Sequence, residues 1–206
     1  ERDSLGRADI LTACSQRILD EAVAQNVRLP EKVAVLPNPI RPLAQWENTP
    51  TDSPVILFVG RLDFGKGIAH LPTLLEALLK TYPDLVLEVA GGDSYARGVG
   101  SLQAWFERAM GSLMSHVRML GALTPEALDA AYRRAWVVVT PSIWDTFPQV
   151  LLEAMVRAKA VVTSPNGGMP EMVADTGCPV HDPGSAAFAA ALGELLANDQ
   201  SRAALG

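Results

Sequence analysis

Residues 55–67 read Val-Ile-Leu-Phe-Val-Gly-Arg-Leu-Asp-Phe-Gly-Lys-Gly, and this stretch decides the fold. Its first six residues are a continuous apolar run with β-branched members, the pattern of a strand buried on both faces. The run breaks into a glycine-bearing turn between Gly60 and Gly67. A helix is expected next, with Pro72 in its first turn and Leu71, Leu74, Leu75, Leu78 and Leu79 on one face. Buried strand, glycine turn and amphipathic helix together make the unit of an α/β fold.

The same unit recurs downstream. LVLEVAG (85–91) reads as a strand ending in glycine, followed by a helix near 101–114 and a short strand at 117–120. Thr124 is placed to cap a helix that has Pro125 at its first position and Glu126 and Asp129 near its start. WVVVTPS (136–142) is a further buried strand, PQVLLEAMVRA (148–158) a helix and AVVTS (160–164) another strand. NGGMPEMV (166–173) is a glycine turn into a short helix, and an alanine- and leucine-rich helix is expected over 184–197. Strands alternating with helices predict an α/β fold with a doubly wound, Rossmann-like parallel sheet. Upstream, 8–13 and 32–36 read as strands flanking a helix near 16–26 with Ser15 as its cap. Residues 37–54 hold Pro37, Pro39, Pro42, Pro50 and Pro54 and mark the best domain boundary.

Composition narrows the functional classes. The chain has 206 residues, 49% hydrophobic and 19% charged, which is globular usage and sets disorder aside. That length suits one domain and a remainder. The net charge of -6 makes nucleic acid a poor partner, without preventing a small basic pocket for phosphate. Cys14 and Cys178 form no C-x-x-C pair, so a disulfide scaffold or cysteine zinc site is not expected, and a reducing compartment fits. Each is expected as a small buried residue. No apolar run approaches the roughly 18 residues of a membrane span, and no signal peptide opens the chain. The first residue is Glu1, which suggests a processed chain or excised fragment. His70, His116 and His181 are scattered and read as structural.

In doubly wound sheets ligands bind beyond the carboxyl ends of the strands, where the glycine turns lie. Gly60-Arg61 and Lys66-Gly67 combine backbone access, two cations and a following helix N-terminus, a candidate diphosphate cradle. The alternative is a tight turn with two solvated cations. Neither a P-loop nor a dinucleotide fingerprint is present. Asp145, in a loop after a strand, and Glu153, on the following helix, could accept hydrogen bonds from sugar and ribose hydroxyls. Their ordinary alternatives are a helix-capping role for Asp145 and an i,i+4 pair of Glu153 with Arg157. Gly91-Gly92 and Asn166-Gly167-Gly168 read as turns.

The order VLPN, FVGRLDFGKG, LEVAGG, VRMLGALTPEALDAAYRRAWVVVTPS, WDTFPQVLLEAM, AVVTSPNGGMPEMV resembles the C-terminal, donor-binding domain of retaining GT-B glycosyltransferases of family 4 (glycosyl transferases group 1) over about residues 33–200. The resemblance implies that Arg61 and Lys66 hold the diphosphate of a nucleotide sugar and that Gly60 and Gly91 keep the phosphate cleft open. It places the backbone of Met119 and Leu120 at the base, Asp145 at the transferred sugar and Glu153 at the ribose. Thr146, Phe147 and Leu151 would approach the sugar and phosphates, and Arg61, Lys66 and Asp145 form the expected catalytic set. The sequence departs from the family's pattern at Asp145, where glutamate is usual, and at Pro148, where glycine is usual.

The resemblance further implies a UDP-, GDP- or ADP-linked sugar as donor, no cofactor and, with no Asp-x-Asp motif, no metal. Residues 1–36 would be the tail of a missing N-terminal acceptor domain, 37–54 an interdomain linker and 55–206 the donor domain. On that basis the isolated chain binds nucleotide but transfers little. The expected location is cytoplasmic, with peripheral association of the full-length enzyme at the inner membrane face. A non-catalytic nucleotide-binding module and a nucleotide-sugar epimerase of similar architecture are the competing functions.

Overall fold

The computed structural model describes residues 5–43, 45–174, 176 and 180–205. Cys178, expected as a buried small residue, lies outside them, and Cys14 is half-buried with a free thiol rather than buried.

The apolar runs form a five-stranded, fully parallel sheet. Its strands are β3 (Val55–Val59), β4 (Val86–Ala90), β7 (Val117–Gly121), β8 (Val137–Thr140) and β9 (Ala160–Thr163), in the order β7-β4-β3-β8-β9. Chain direction across the sheet reverses after β7, so the switch point falls between β3 and β8. Successive residues of one strand point to opposite faces, and both faces are covered. Ile56 and Phe58 face one core with Val137, Val139 and Val162, beneath α2 (Leu71–Leu79), α3 (Leu102–Met110) and α7 (Ala186–Ala197). Leu57, Val138 and Val161 face the other, beneath α4 (Pro125–Arg134), α5 (Gln149–Met155) and the single turn α6 (Met169–Met172). Glu88 occupies a buried position of β4 and is matched there by Arg118 and Arg134.

A smaller unit precedes this sheet. β1 (Leu11–Ala13) and β2 (Val33–Val35) pair in parallel around α1 (Gln16–Ala24), whose first turn is capped by the Ser15 hydroxyl. Residues 37–54 carry no helix or strand among the described residues, yet they are pinned to the main sheet. The Thr49 N–H donates to the Arg133 carbonyl, Trp136 Nε1 to the Thr51 carbonyl and Asn48 Nδ2 to the Ala158 carbonyl.

Several boundaries differ from the expected ones for local reasons. α1 ends at Ala24 rather than at 26, with Asn26 at φ 58° closing it. α3 ends at Met110 because Gly111 turns to φ 52°, and the chain continues to His116 as a 3-10 helix. α5 ends at Met155, short of 158, with Ala158 at φ 49°. Two further elements were not expected: a hairpin of β5 (Tyr95–Ala96) with β6 (Gly100–Ser101), and α8 (Asp199–Leu205) after α7.

Candidate functional site

The switch point puts the ends of β3 and β8 side by side, and the loops leaving them build the site. A small cavity of about 40 Å³ opens there, lined by Gly60, Lys66, Ser142, Asp145 and Pro148 among others. Lys66 Nζ lies 2.5 Å from Asp145 Oδ2, joining two positions that stand far apart in the chain. Asp145 Oδ1 accepts from the Phe147 N–H at 3.3 Å, so this carboxylate shapes its own loop rather than capping α5, whose N-cap is Pro148. Arg61 is exposed at the end of β3 and makes no hydrogen bond or ion pair among the described residues.

The helix begins where expected, at Leu71 with Pro72 in its first turn, and two 3-10 turns separate it from Gly60. Asp63 accepts from the Gly65 N–H and starts one 3-10 turn (Phe64–Lys66); Gly67, at φ 81°, ends it and a second turn (Ile68–His70) follows. The amides of Gly65, Lys66 and Gly67 are already bonded within the turn. The cationic character of this edge rests on the Arg61 and Lys66 side chains.

Glycines hold the loops of this edge against one another. A Cβ at Gly91 would stand 1.8 Å from the Gly60 carbonyl oxygen, and one at Gly67 1.8 Å from that of Pro141. At Gly167 and Gly168 the same atom would meet the carbonyl oxygens of Asp145 at 2.0 Å and Thr146 at 1.9 Å. Gly91 thus packs backbone against backbone at the strand ends. The glycine turn at 166–168 is the support under the Asp145 loop.

Glu153 lies on α5, beyond the cavity, and is half-buried. Its Oε2 accepts the Tyr132 hydroxyl at 3.0 Å, while Oε1 has no partner among the described residues. The i,i+4 pairing of Glu153 with Arg157 does not form between side chains. Arg157 instead turns to Asp129, with Nε 3.0 Å from Oδ1, and donates Nη1 to the Glu153 backbone carbonyl at 3.0 Å. Burial, and next the Glu153 carboxylate, push the Tyr132 hydroxyl well above the usual phenol range, so it stays a donor.

The remaining candidates divide. Thr146 is exposed and Phe147 half-buried in the Asp145 loop, with the Phe147 carbonyl accepting from Asn38 Nδ2. Leu151 does not join them: it is 0% exposed in the core under α5, and its N–H is given to the Pro148 carbonyl. Met119 and Leu120 lie on β7, the edge strand, where one row of backbone groups is left unpaired by the sheet. The structure brings Lys66 and Asp145 together here, leaves Arg61 exposed just past the end of β3, and keeps Glu153 apart on α5. Among the described residues no group of three or more histidine, cysteine, aspartate and glutamate side chains is gathered as a metal site.

The sequence model of the family glycosyl transferases group 1 matches residues 41–206, and the chain belongs to that family. D-inositol 3-phosphate glycosyltransferase of Corynebacterium aurimucosum is 35% identical over an alignment of 161 positions, gaps included, that covers 76% of this chain and 38% of that protein. Its counterpart in Corynebacterium diphtheriae is 31% identical over an alignment of 225 positions, gaps included, that covers 100% of this chain and 52% of that protein. Among solved structures, sucrose-phosphate synthase from Thermosynechococcus elongatus superposes with a TM-score of 0.81 at 27% identity, covering 99% of this chain and 53% of that one. The lipopolysaccharide glycosyltransferase WaaG superposes with a TM-score of 0.76 at 22% identity, over 96% of this chain and 56% of that one, and shares the fold. The chain thus spans about half, or less, of the length of the curated relatives it matches.

Proposed function

We propose that this chain is the nucleotide-sugar-binding half of a retaining, family 4 glycosyltransferase that moves a sugar from a nucleoside diphosphate to an acceptor hydroxyl. The observation that carries the reading is the meeting of Lys66 and Asp145 at the switch point of the sheet, with Arg61 exposed just past the end of β3. Negative charge grows on the diphosphate as the anomeric bond breaks, and two cations stabilise that charge more than the ground state. Lys66 and Arg61 supply this without a metal ion. Asp145 positions the sugar, and the unpaired Oε1 of Glu153 accepts from the ribose. Retention follows if the acceptor hydroxyl enters on the face the diphosphate leaves. The carboxylates then bind and position rather than act as the acid and nucleophile of a glycosidase.

The acceptor half is proposed to come from an N-terminal domain that includes residues 1–36, with 37–54 as the crossing and 55–206 as the donor domain. The β1/β2 pair supports this reading. Parallel strands are normally found inside larger sheets covered on both faces, yet Ile10 and Leu36 are 60% and 61% exposed. Further strands of an acceptor domain would cover them. No helix among the described residues is long and apolar enough to cross a membrane. A cytoplasmic enzyme, peripheral at the inner face, is the proposed location.

Calorimetry with UDP, GDP and ADP tests the reading. At least one is expected to bind, and the Arg61→Glu variant, changed at an exposed side chain, is expected to lose that binding while its melting temperature stays the same. Binding of none of the three, or undiminished binding by Arg61→Glu, would refute the diphosphate cradle.

A further inference from the structure

We propose that Tyr132 is a positioning residue that orients the Glu153 carboxylate for the ribose hydroxyls, a role that rests on the ribose reading of Glu153. A glutamate on a helix surface samples many rotamers, and a ligand that fixes one loses that entropy on binding. Here the choice is made in advance. Tyr132 is 0% exposed, with its ring held in the core under α4 and α5. Its hydroxyl takes Oε2 of Glu153 and leaves Oε1 for a ligand. The phenol keeps its proton throughout the working pH range, so the bond keeps one polarity.

A second layer holds the tyrosine. The Arg157 guanidinium lies 4.8 Å from the Tyr132 ring centre and 5.2 Å from that of Trp46. Both Nε and Nη2 of Arg157 bond Asp129 Oδ1, at 3.0 and 2.5 Å, which draws the cation away from the Glu153 carboxylate. Without that arrangement the i,i+4 spacing would let Arg157 capture Glu153 and occupy the oxygens meant for ribose. Trp46 also carries Arg133 at 4.1 Å, so the crossing segment is clamped to the same relay. The order of support runs from Trp46 through Arg157 and Tyr132 to Glu153.

A buried tyrosine hydroxyl needs a partner whatever its function, so the test must read ribose recognition and not stability alone. The measured quantity is the ratio of affinities for a nucleoside diphosphate and its 2′,3′-dideoxy analogue. It is taken on the UDP, GDP and ADP pairs for the wild-type chain, Tyr132→Phe, Glu153→Ala and the double variant. Tyr132→Phe keeps the ring in the core. It is expected to lower the ratio by about fivefold, the worth of one net hydrogen bond, and to leave affinity for the dideoxy analogue unchanged. Glu153→Ala is expected to bring the ratio close to one, and adding Tyr132→Phe to it changes nothing further. If Glu153→Ala collapses the ratio and Tyr132→Phe leaves it intact, or weakens both ligands equally, the positioning role is overturned. If Glu153→Ala leaves the ratio intact, the ribose reading itself fails, and if no pair binds, the donor site fails and this role with it.

Discussion

Replacing Lys66 by alanine removes a cation and also strands an anion, and the size of the effect follows from that pairing. Lys66 Nζ stands 2.5 Å from Asp145 Oδ2, with the two side chains 36% and 12% exposed. A pair this accessible to water contributes only about 0.2–1 kcal/mol by itself, so an entering diphosphate can compete for the lysine. A charge-assisted contact from Lys66 to the diphosphate is worth about 1.5–3 kcal/mol. The bare Asp145 carboxylate left in Lys66→Ala would repel the nearest charge of the ligand by about 1.4 kcal/mol, taking roughly 6 Å and an effective dielectric of about 40, with the farther charges screened by water. Allowing for the pair that no longer has to be broken, the loss is about 2–4 kcal/mol, or roughly 30- to 1,000-fold in affinity. Asp145→Asn gives the sharper contrast. On its own it tightens binding of the sugar-free diphosphate a few-fold, and added to Lys66→Ala it recovers about tenfold, since the repulsion of about 1.4 kcal/mol is gone. Calorimetry at fixed, low salt on the four proteins of this cycle decides the matter, with the free nucleoside diphosphate as ligand so that no sugar contact of Asp145 intervenes. An Asp145→Asn change that does nothing in the Lys66→Ala background would show that the two side chains do not share the ligand's field.

Two further expectations concern stability. Lys159 is 3% exposed and donates to the carbonyls of Arg133 and Ala135; burial, then Arg133 and Arg202, pull its ammonium down from 10.5 to about 8. Between those values the unfolded chain holds the proton that the folded chain has released, so stability rises with pH through that window by roughly 3 kcal/mol relative to Lys159→Met; urea unfolding of both proteins at several pH values checks it, and a constant difference would contradict it. Ala158 sits at φ 49°, in the left-handed region, after α5. Ala158→Gly should stabilise the fold by about 1 kcal/mol, visible as a higher urea midpoint, with nucleotide affinity unchanged.

What could be read in advance follows the range of the forces involved. Three strands of the main sheet, β3, β8 and β9, announce themselves because both their faces are buried, which leaves continuous apolar runs such as 55–59 and 137–139. The caps at Ser15 and Thr124 are equally local. The β5/β6 hairpin carries no such signal. It is held by Asp93, which accepts from the Ser101 hydroxyl and the Gln103 N–H, contacts that only the folded loop creates. α8 likewise depends on Arg202, which stacks on Trp136 at 4.2 Å and bonds the carbonyls of Leu195 and Leu196. At the site, the charges of Arg61, Lys66, Asp145 and Glu153 stand out in the sequence, but their supports do not. Gly167 and Gly168 look like any turn until the carbonyls of Asp145 and Thr146 are seen against them. Leu151 shows the converse: its position near the motif is clear in the sequence, while the burial of its side chain is set by the sheet beneath it.

The same supports tie the donor edge to the N-terminal unit. The Asp145 loop rests on Gly167 and Gly168 with no room for a methyl group between them, so it cannot shift without the 165–171 segment. That segment carries Glu171, whose two carboxylate oxygens accept the first free amides of α1, from Gln16 at 3.0 Å and Arg17 at 2.8 Å. Arg17 reaches back to the Pro165 carbonyl, and Trp144, next to Asp145, donates to Glu21 on the same helix. An aspartate one methylene shorter than the usual glutamate has less reach, and a rigid loop cannot bring it closer by moving alone. The backbone interlock therefore makes the placement of α1 a condition for where the Asp145 carboxylate stands.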